Sequence, residues 1–318
     1  MRAARHLLGA CLLGVGLLAQ AQGCPPIAQP AAIDATTAAA STDRGFMWRI
    51  VKDGHASYLY GTLHVARHDW AYPGAKLVNA VKASDVVALE LDVLDPAITK
   101  RLLASMAPRP QDAIDDALKA RLLKQIHAAC LSDQLLDVMS AEMASTSLVV
   151  MSARQDGLDP AYAIDRSLAM LGRSLGRRVM SLETPEQQID ALRSRNRQEA
   201  RTSIEQAIDS LETGQATPML MRIASVWADS RYDELDRYGE WCQCMDTEVE
   251  RDSMKRLLDD RNPSMAQRID TMHMSGQRVF AAVGSLHMIG PLGLPQLFAQ
   301  RGYKVERIAL ASVAAAAR

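Results

Sequence analysis

The chain predicts an α/β fold, with a sheet built from strands at both chain ends and a large helical insertion over about 96–275. Apolar runs with strand chemistry lie near the start, at 47–51, 57–63 and 86–91, and return at the end, at 278–283 and 303–308, with one more at 178–182. Between them, helix-start signals recur, such as Asp95-Pro96, Asp159-Pro160 and Thr184-Pro185-Glu186-Gln187. The composition, 48% hydrophobic and 23% charged, is that of a globular chain with ample sequence to bury a core.

The first residues read as a leader rather than as fold. Arg2 and Arg5 precede an apolar run over 7–18, and Ala19-Gln20-Ala21 offers small residues at a signal-peptidase site. Cleavage after Ala21 removes two of 36 basic residues against 37 acidic ones, taking the net charge from −1 to −3. That balance gives no reason to expect nucleic acid as a partner. The alternative is a lipoprotein anchored through Cys24, for which Gln22 is a poor neighbour. The expected location is the periplasm or outside the cell, with membrane attachment only if Cys24 is lipidated. In that oxidising setting a disulfide between Cys130 and either Cys242 or Cys244 is expected. Residues 22–45, rich in Pro, Ala, Thr and Ser, read as a disordered linker, and 311–318 as a tail.

From about residue 46 each element has its own signal. Runs 47–51 and 57–63 flank Asp53-Gly54, which is hairpin turn chemistry. The near-continuous apolar run 86–91 suggests a strand buried on both faces. Helical patterning follows over 96–107, 112–128, 132–152 and 160–172. The capping box at Thr184 opens a long helix expected to reach about 213, and more helices fill 217–275, one of them capped by Asn262-Pro263. A helix at about 291–300 separates the last two strands.

The polar residues that interrupt this pattern cluster at strand ends. His64 follows one strand, Glu90 sits near the end of the next, Glu183 ends the middle strand, and His287 follows the run 278–283. Ligands of open α/β sheets bind outside the carboxyl ends of strands, so all four are predicted on one rim. Gly61 and Gly284 each stand three residues before a histidine, and the segment around 60–64 returns at 283–287. Two histidines and two carboxylates could hold a divalent ion such as Mn²⁺, Co²⁺ or Zn²⁺. Alternatively, one of them could deprotonate water without a metal. Shared ligation would bring the four side chains within about 10 Å, since metal bonds are ~2.0–2.2 Å. Each carboxylate also has a structural alternative: Glu90 could pair with a buried arginine, and Glu183 could cap its helix. Asp92 is a second-rank ligand candidate.

Other features carry less. His64 and His68 lack the intervening glutamate of H-E-x-x-H, and there is no G-x-S-x-G, Walker A or dinucleotide fingerprint. His55 belongs to a turn, and His127 and His273 read as surface residues of helices.

At these residues the chain resembles the TraB/GumN family. The resemblance rests on Tyr58-Leu59-Tyr60-Gly61-Thr62-Leu63-His64, Glu90-Leu91-Asp92, Leu182-Glu183-Thr184 with Gln187, Arg261-Asn262-Pro263 with Met265, and Ala282-Val283-Gly284-Ser285-Leu286-His287-Met288-Ile289-Gly290. Gly293-Leu294 and Arg301-Gly302-Tyr303-Lys304-Val305 complete it, over about 46–308. The family is similar to the Tiki metalloproteases and, more distantly, to the erythromycin esterase and ChaN-like fold. The resemblance implies an EreA/ChaN-like α/β domain with paired G-x-x-H motifs and acidic residues about the active site, matched here by His64, His287, Glu90 and Glu183. It further implies that Arg261 holds a carboxylate or polarises a carbonyl.

The expected activity is that of an exported hydrolase, first a metal-dependent peptidase acting on a peptide or small-molecule substrate. In that reading His64, His287 and one or both of Glu90 and Glu183 bind the ion, and the remaining glutamate serves as general base toward bound water. The alternatives are a metal-free ester or amide hydrolase and a non-enzymatic envelope accessory or binding protein.

Overall fold

The computed structural model describes residues 23–25, 28–33 and 41–310. The leader and its cleavage site, ten of the 24 linker residues and the tail lie outside the described residues; of the linker residues described, Ala31 and Ile33 are buried in the core.

Six strands form one sheet: β1 (Phe46–Lys52), β2 (His55–Thr62), β3 (Val86–Leu89), β4 (Arg178–Ser181), β5 (Val279–Gly284) and β6 (Lys304–Ile308), in the order β4-β3-β5-β2-β1-β6. β1 and β2 make the expected hairpin. Its turn residues Asp53 and Gly54 both have positive φ, 50° and 82°, the conformation whose twist matches a two-residue hairpin. β6 pairs antiparallel with β1. β4, β3, β5 and β2 run parallel as neighbours, so their carboxyl ends share one rim. The chain passes from β2 to β3, steps outward to β4, and returns at the end to place β5 between β3 and β2. Val87, Ala88 and Leu89 of β3 and Phe280, Ala281 and Ala282 of β5 are fully buried, as strands covered on both faces must be. Gly172 lets the helix Ile164–Ser174 approach the sheet: a Cβ there would lie 3.0 Å from Val87 and 3.2 Å from Val179.

The helical residues between β3 and β5 build a second core from Leu118, Leu122, Ile126, Leu148, Ile204 and Ile208. The long helix expected over 185–213 is two helices, Pro185–Leu192 and Arg197–Glu212. Arg193 breaks it. Its guanidinium is buried and donates to Asp112 at 2.7 Å and to the carbonyls of Ser105 and Ala107, each at 2.9 Å, and Asn196 then caps the second helix.

Further expectations need correction. Cys130 pairs with Cys24, and Cys242 with Cys244, so neither cross-pairing expected for Cys130 occurs. Asn262 does not cap its helix, since its side chain reaches the site described below. His273 is fully buried rather than on the surface. It stacks on His55 at 3.8 Å and lies 2.8 Å from the Ser57 hydroxyl, and its burial lowers its pKa.

Candidate active site

The four parallel strands deliver the predicted residues to one rim. Glu90 stands one residue beyond β3, and Glu183 two beyond β4. The ladder continues past both strand ends, with Leu182 N–H donating to Leu89 O at 2.7 Å and Glu183 N–H to Glu90 O at 3.1 Å, which fixes the two carboxylates side by side. His287 lies in the short 3-10 turn Ser285–Met288 directly after β5. His64 follows β2, where Ile164 N–H donates to Leu63 O at 2.9 Å and seats the start of a helix against it. Ser285 Oγ donates to Thr62 O at 2.8 Å and ties the two histidine segments together.

Glu90 is the hub. Its Oε1 accepts from Gly284 N–H at 2.6 Å and faces His287 Nε2 at 3.8 Å and His64 Nε2 at 4.0 Å. Its Oε2 accepts from Arg261 Nη2 at 2.6 Å and Gln188 Nε2 at 3.0 Å. Arg261 also takes Glu183 with both ends of its fork: Nε donates to Oε1 at 3.0 Å, and Nη2 to Oε2. A third donor, Nη1, goes to Leu257 O at 2.9 Å within the π-helical turn Lys255–Asp259 that carries the arginine inward. Glu90 thus has the arginine partner of its structural alternative and still presents one oxygen to the histidines. Burial alone would raise its pKa, but the two imidazoles, Arg261 and the Gly284 N–H hold the carboxyl well below the usual carboxylate range.

The histidines differ in what lies behind them. His287 is 4% exposed, and its Nδ1 lies 2.6 Å from Asn262 Oδ1. The amide is oriented by its other end, since Asn262 Nδ2 donates to Leu292 O at 2.9 Å. Nδ1 is therefore the donor, and Nε2 carries the lone pair. Burial, helped by the cations Arg261 and His64 and opposed by Glu90, pushes His287 down to about 4. His64 is 57% exposed, with Nδ1 3.5 Å from Asp165 Oδ1. Desolvation of its inward edge would lower its pKa, but Asp165 and then Glu90 outweigh that and raise it to about 9. The surroundings thus favour a neutral imidazole at His287 and an imidazolium at His64 around one carboxylate.

Gly284 leaves the space between them open. A Cβ there would stand 3.2 Å from Glu90 Oε1, 3.6 Å from His64 Nε2 and 3.7 Å from His287 Cδ2. At Gly61 the reason for glycine is different, because a Cβ would meet Ser285 Oγ at 2.9 Å, a close approach between strands.

The expected metal set does not fit this arrangement. Glu183 faces Arg261 with both oxygens, and the guanidinium lies between the two carboxylates where a cation would bridge them. Among the described residues, no group of three or more His, Cys, Asp or Glu side chains is placed to hold a metal ion. Asp92 is also engaged elsewhere: Oδ2 accepts from Arg173 at 2.6 Å and Oδ1 from Leu94 N–H at 3.2 Å. A cavity of about 180 Å³ lined by Gln125, Leu148, Met151, Arg154 and Thr217 lies in the helical layer and contains none of these site residues.

Asp165 and Gln188 join the site without having been singled out in the sequence, and Asn262 does so in a role its position before a proline did not suggest. Asp165 was signalled only by the start of a helix, and Gln188 only by following the capping-box Gln187.

A model of the TraB/PrgY/gumN family matches residues 46–307, nearly all of the described chain. The chain belongs to that family. No curated protein and no solved structure matches it.

Proposed function

We propose that this TraB/PrgY/gumN protein is an exported hydrolase that cleaves an ester or amide bond by general acid–base catalysis, without a metal ion. One observation carries the reading: His287 Nε2 and Glu90 Oε1, both acceptors, face each other at 3.8 Å. A water bridging both through ~2.8 Å hydrogen bonds would close this gap with its two bonds about 85° apart, bent somewhat inward from its own ~104° angle. The water oxygen then offers its lone pairs to the substrate carbonyl. His287 takes a proton at Nε2 as the water attacks a carbonyl carbon. Glu90 stabilises the resulting imidazolium, and Asn262 holds the ring's far side. His64, cationic and exposed at the mouth, donates its Nε2 proton to the leaving group. With pKa values pushed to about 4 and about 9, His287 stands in its proton-accepting form and His64 in its proton-donating form at neutral pH. Arg261 helps to keep Glu90 ionised and holds both glutamates in place.

The mixed sheet, with four parallel strands and a helical layer, supports an EreA/ChaN-like arrangement, and the leader supports a periplasmic or secreted location. Pairing of Cys24 with Cys130 favours the soluble form over one lipidated at Cys24. The test is turnover of ester, amide and peptide libraries by the mature protein purified without a histidine tag. Activity that is lost in His287→Ala and indifferent to chelator is the expected result. Activity lost on chelation and restored by Mn²⁺, Co²⁺ or Zn²⁺ would replace this mechanism with a metal-dependent one. No turnover on any class would favour a binding or accessory role.

A further inference from the structure

The two disulfides differ in reach. Cys24–Cys130 joins residues 106 apart, a span over which a bridge removes much entropy from the unfolded chain. Cys242–Cys244 joins residues 2 apart and adds almost no such restraint. The loop around it is anchored by other bonds. Trp241 Nε1 donates to Glu234 O at 3.0 Å. Arg251 Nη1 donates to Met245 O at 2.8 Å and Asp246 O at 3.0 Å. Glu250 Oε2 accepts from Asp246 N–H at 3.1 Å and Thr247 N–H at 2.8 Å. The loop thus has hydrogen bonds of its own on both sides of the bridge.

Its surroundings suit reaction. Gln243, between the cysteines, is held at φ 53°, a left-handed conformation that residues with a side chain seldom adopt. Cys242 is buried, whereas Cys244 is half-buried, so an incoming thiolate meets Cys244 first. Cys244 N–H donates to Cys242 Sγ at 3.2 Å, the sulfur that must carry negative charge when the bridge opens. A donor there stabilises the thiolate and makes it a better leaving group.

We propose that Cys242–Cys244 is a thiol–disulfide exchange site whose partner is a dithiol. A partner thiolate attacks Cys244 Sγ, forming a mixed disulfide. The old sulfur–sulfur bond breaks, and its electron pair leaves on Cys242 Sγ, beneath the Cys244 N–H. The partner's second thiolate then attacks the partner sulfur of the mixed disulfide, and Cys244 departs as a thiolate. The partner loses two electrons and two protons and ends as a disulfide. The cysteine pair gains the two electrons, and both its thiolates take protons from water.

The test equilibrates the native, oxidised full chain with mixtures of reduced and oxidised dithiothreitol, quenches in acid and alkylates free thiols. Peptides bearing Cys242 and Cys244 are read separately from those bearing Cys24 and Cys130, and helical circular dichroism is followed in parallel. The expected result is a reversible two-electron transition of the 242/244 pair, more than half complete before the dichroism changes. Single variants assign the attacked sulfur. In Cys242→Ser the remaining Cys244 should form a mixed disulfide with oxidised glutathione at least tenfold faster than the buried Cys242 does in Cys244→Ser. A pair that stays oxidised until the dichroism is lost, or variants that react at equal rates, would overturn the proposal.

Discussion

His64 and His287 end the same tetrapeptide pattern on adjacent parallel strands, yet one is exposed and held cationic while the other is buried and held neutral. The difference begins in register. Gly284 pairs with Thr62, not with Gly61, so the two copies sit one residue out of step. In a sheet, a one-residue offset exchanges the faces to which side chains point. Gly284 therefore opens onto Glu90 and the histidines, whereas Gly61 opens onto Ser285. The surroundings complete the contrast, with a carboxylate behind His64 and a neutral amide behind His287. A repeated motif need not mean a repeated role, and here the repeat supplies an acid and a base.

If that division is right, the two alanine variants are unequal. His287→Ala should lower kcat/KM by about 10³-fold, within the 10²–10⁴ typical of a general base. His64→Ala should cost about 10²-fold, and less for substrates with good leaving groups, which need no proton. Equal losses that do not depend on the leaving group would erase the distinction. Arg261→Met tests the frame beneath both histidines. It leaves two buried carboxylates without their cation and should cost about 3–5 kcal/mol in urea unfolding, a range typical of broken buried pairs.

The rim of the site could be read in the sequence because each of its four residues interrupts or ends an apolar run, and strand ends of one parallel sheet must converge. The partners could not be read. Asp165, Gln188 and Asn262 lie on helices, where a polar residue is ordinary, and only the packing of those helices aims them at Glu90 and the histidines. Arg261 was legible only through the family pattern. Glu183 was correctly placed on the rim, but that its oxygens are taken by an arginine far along the chain could not be read. The split of the helix over 185–213 turned on a buried Arg193, which no helical periodicity signals. The Cys24 pairing was missed because a segment with no core pattern was not expected to hold one end of a bridge. His273 was misread because its helix buries a polar ring against another histidine.

A finer change sharpens the comparison. Asn262→Asp would place a carboxylate behind His287, as Asp165 stands behind His64. The acid limb of the activity profile, expected near pH 4 in the parent, should then rise by about one to two units, as expected for a carboxylate partner. An unmoved limb would show that Asn262 does not set the state of His287. A smaller signature lies in stability. His287 has a depressed pKa, so between pH 4 and about 6.5 the unfolded chain binds the proton that the folded chain refuses, and stability rises with pH across that window, by about 3 kcal/mol. His64 acts with opposite sign. Its contribution is complete below about pH 6.5 and is lost as pH rises through about 9, and it is reduced by solvent screening at its exposed ring. Urea midpoints of the parent and of each histidine variant across pH 4–9.5 would check both slopes.

The most direct measurement is nitrogen-15 NMR of the two imidazoles in uniformly labelled protein, assigned with the His64→Ala and His287→Ala variants and followed with pH. The account predicts that at pH 7 His64 is an imidazolium, losing its proton near about pH 9, while His287 is neutral with its proton on Nδ1 and remains so until near about pH 4. Two rings that titrate together near the ordinary ~6.5, or a His287 whose proton sits on Nε2, would contradict it.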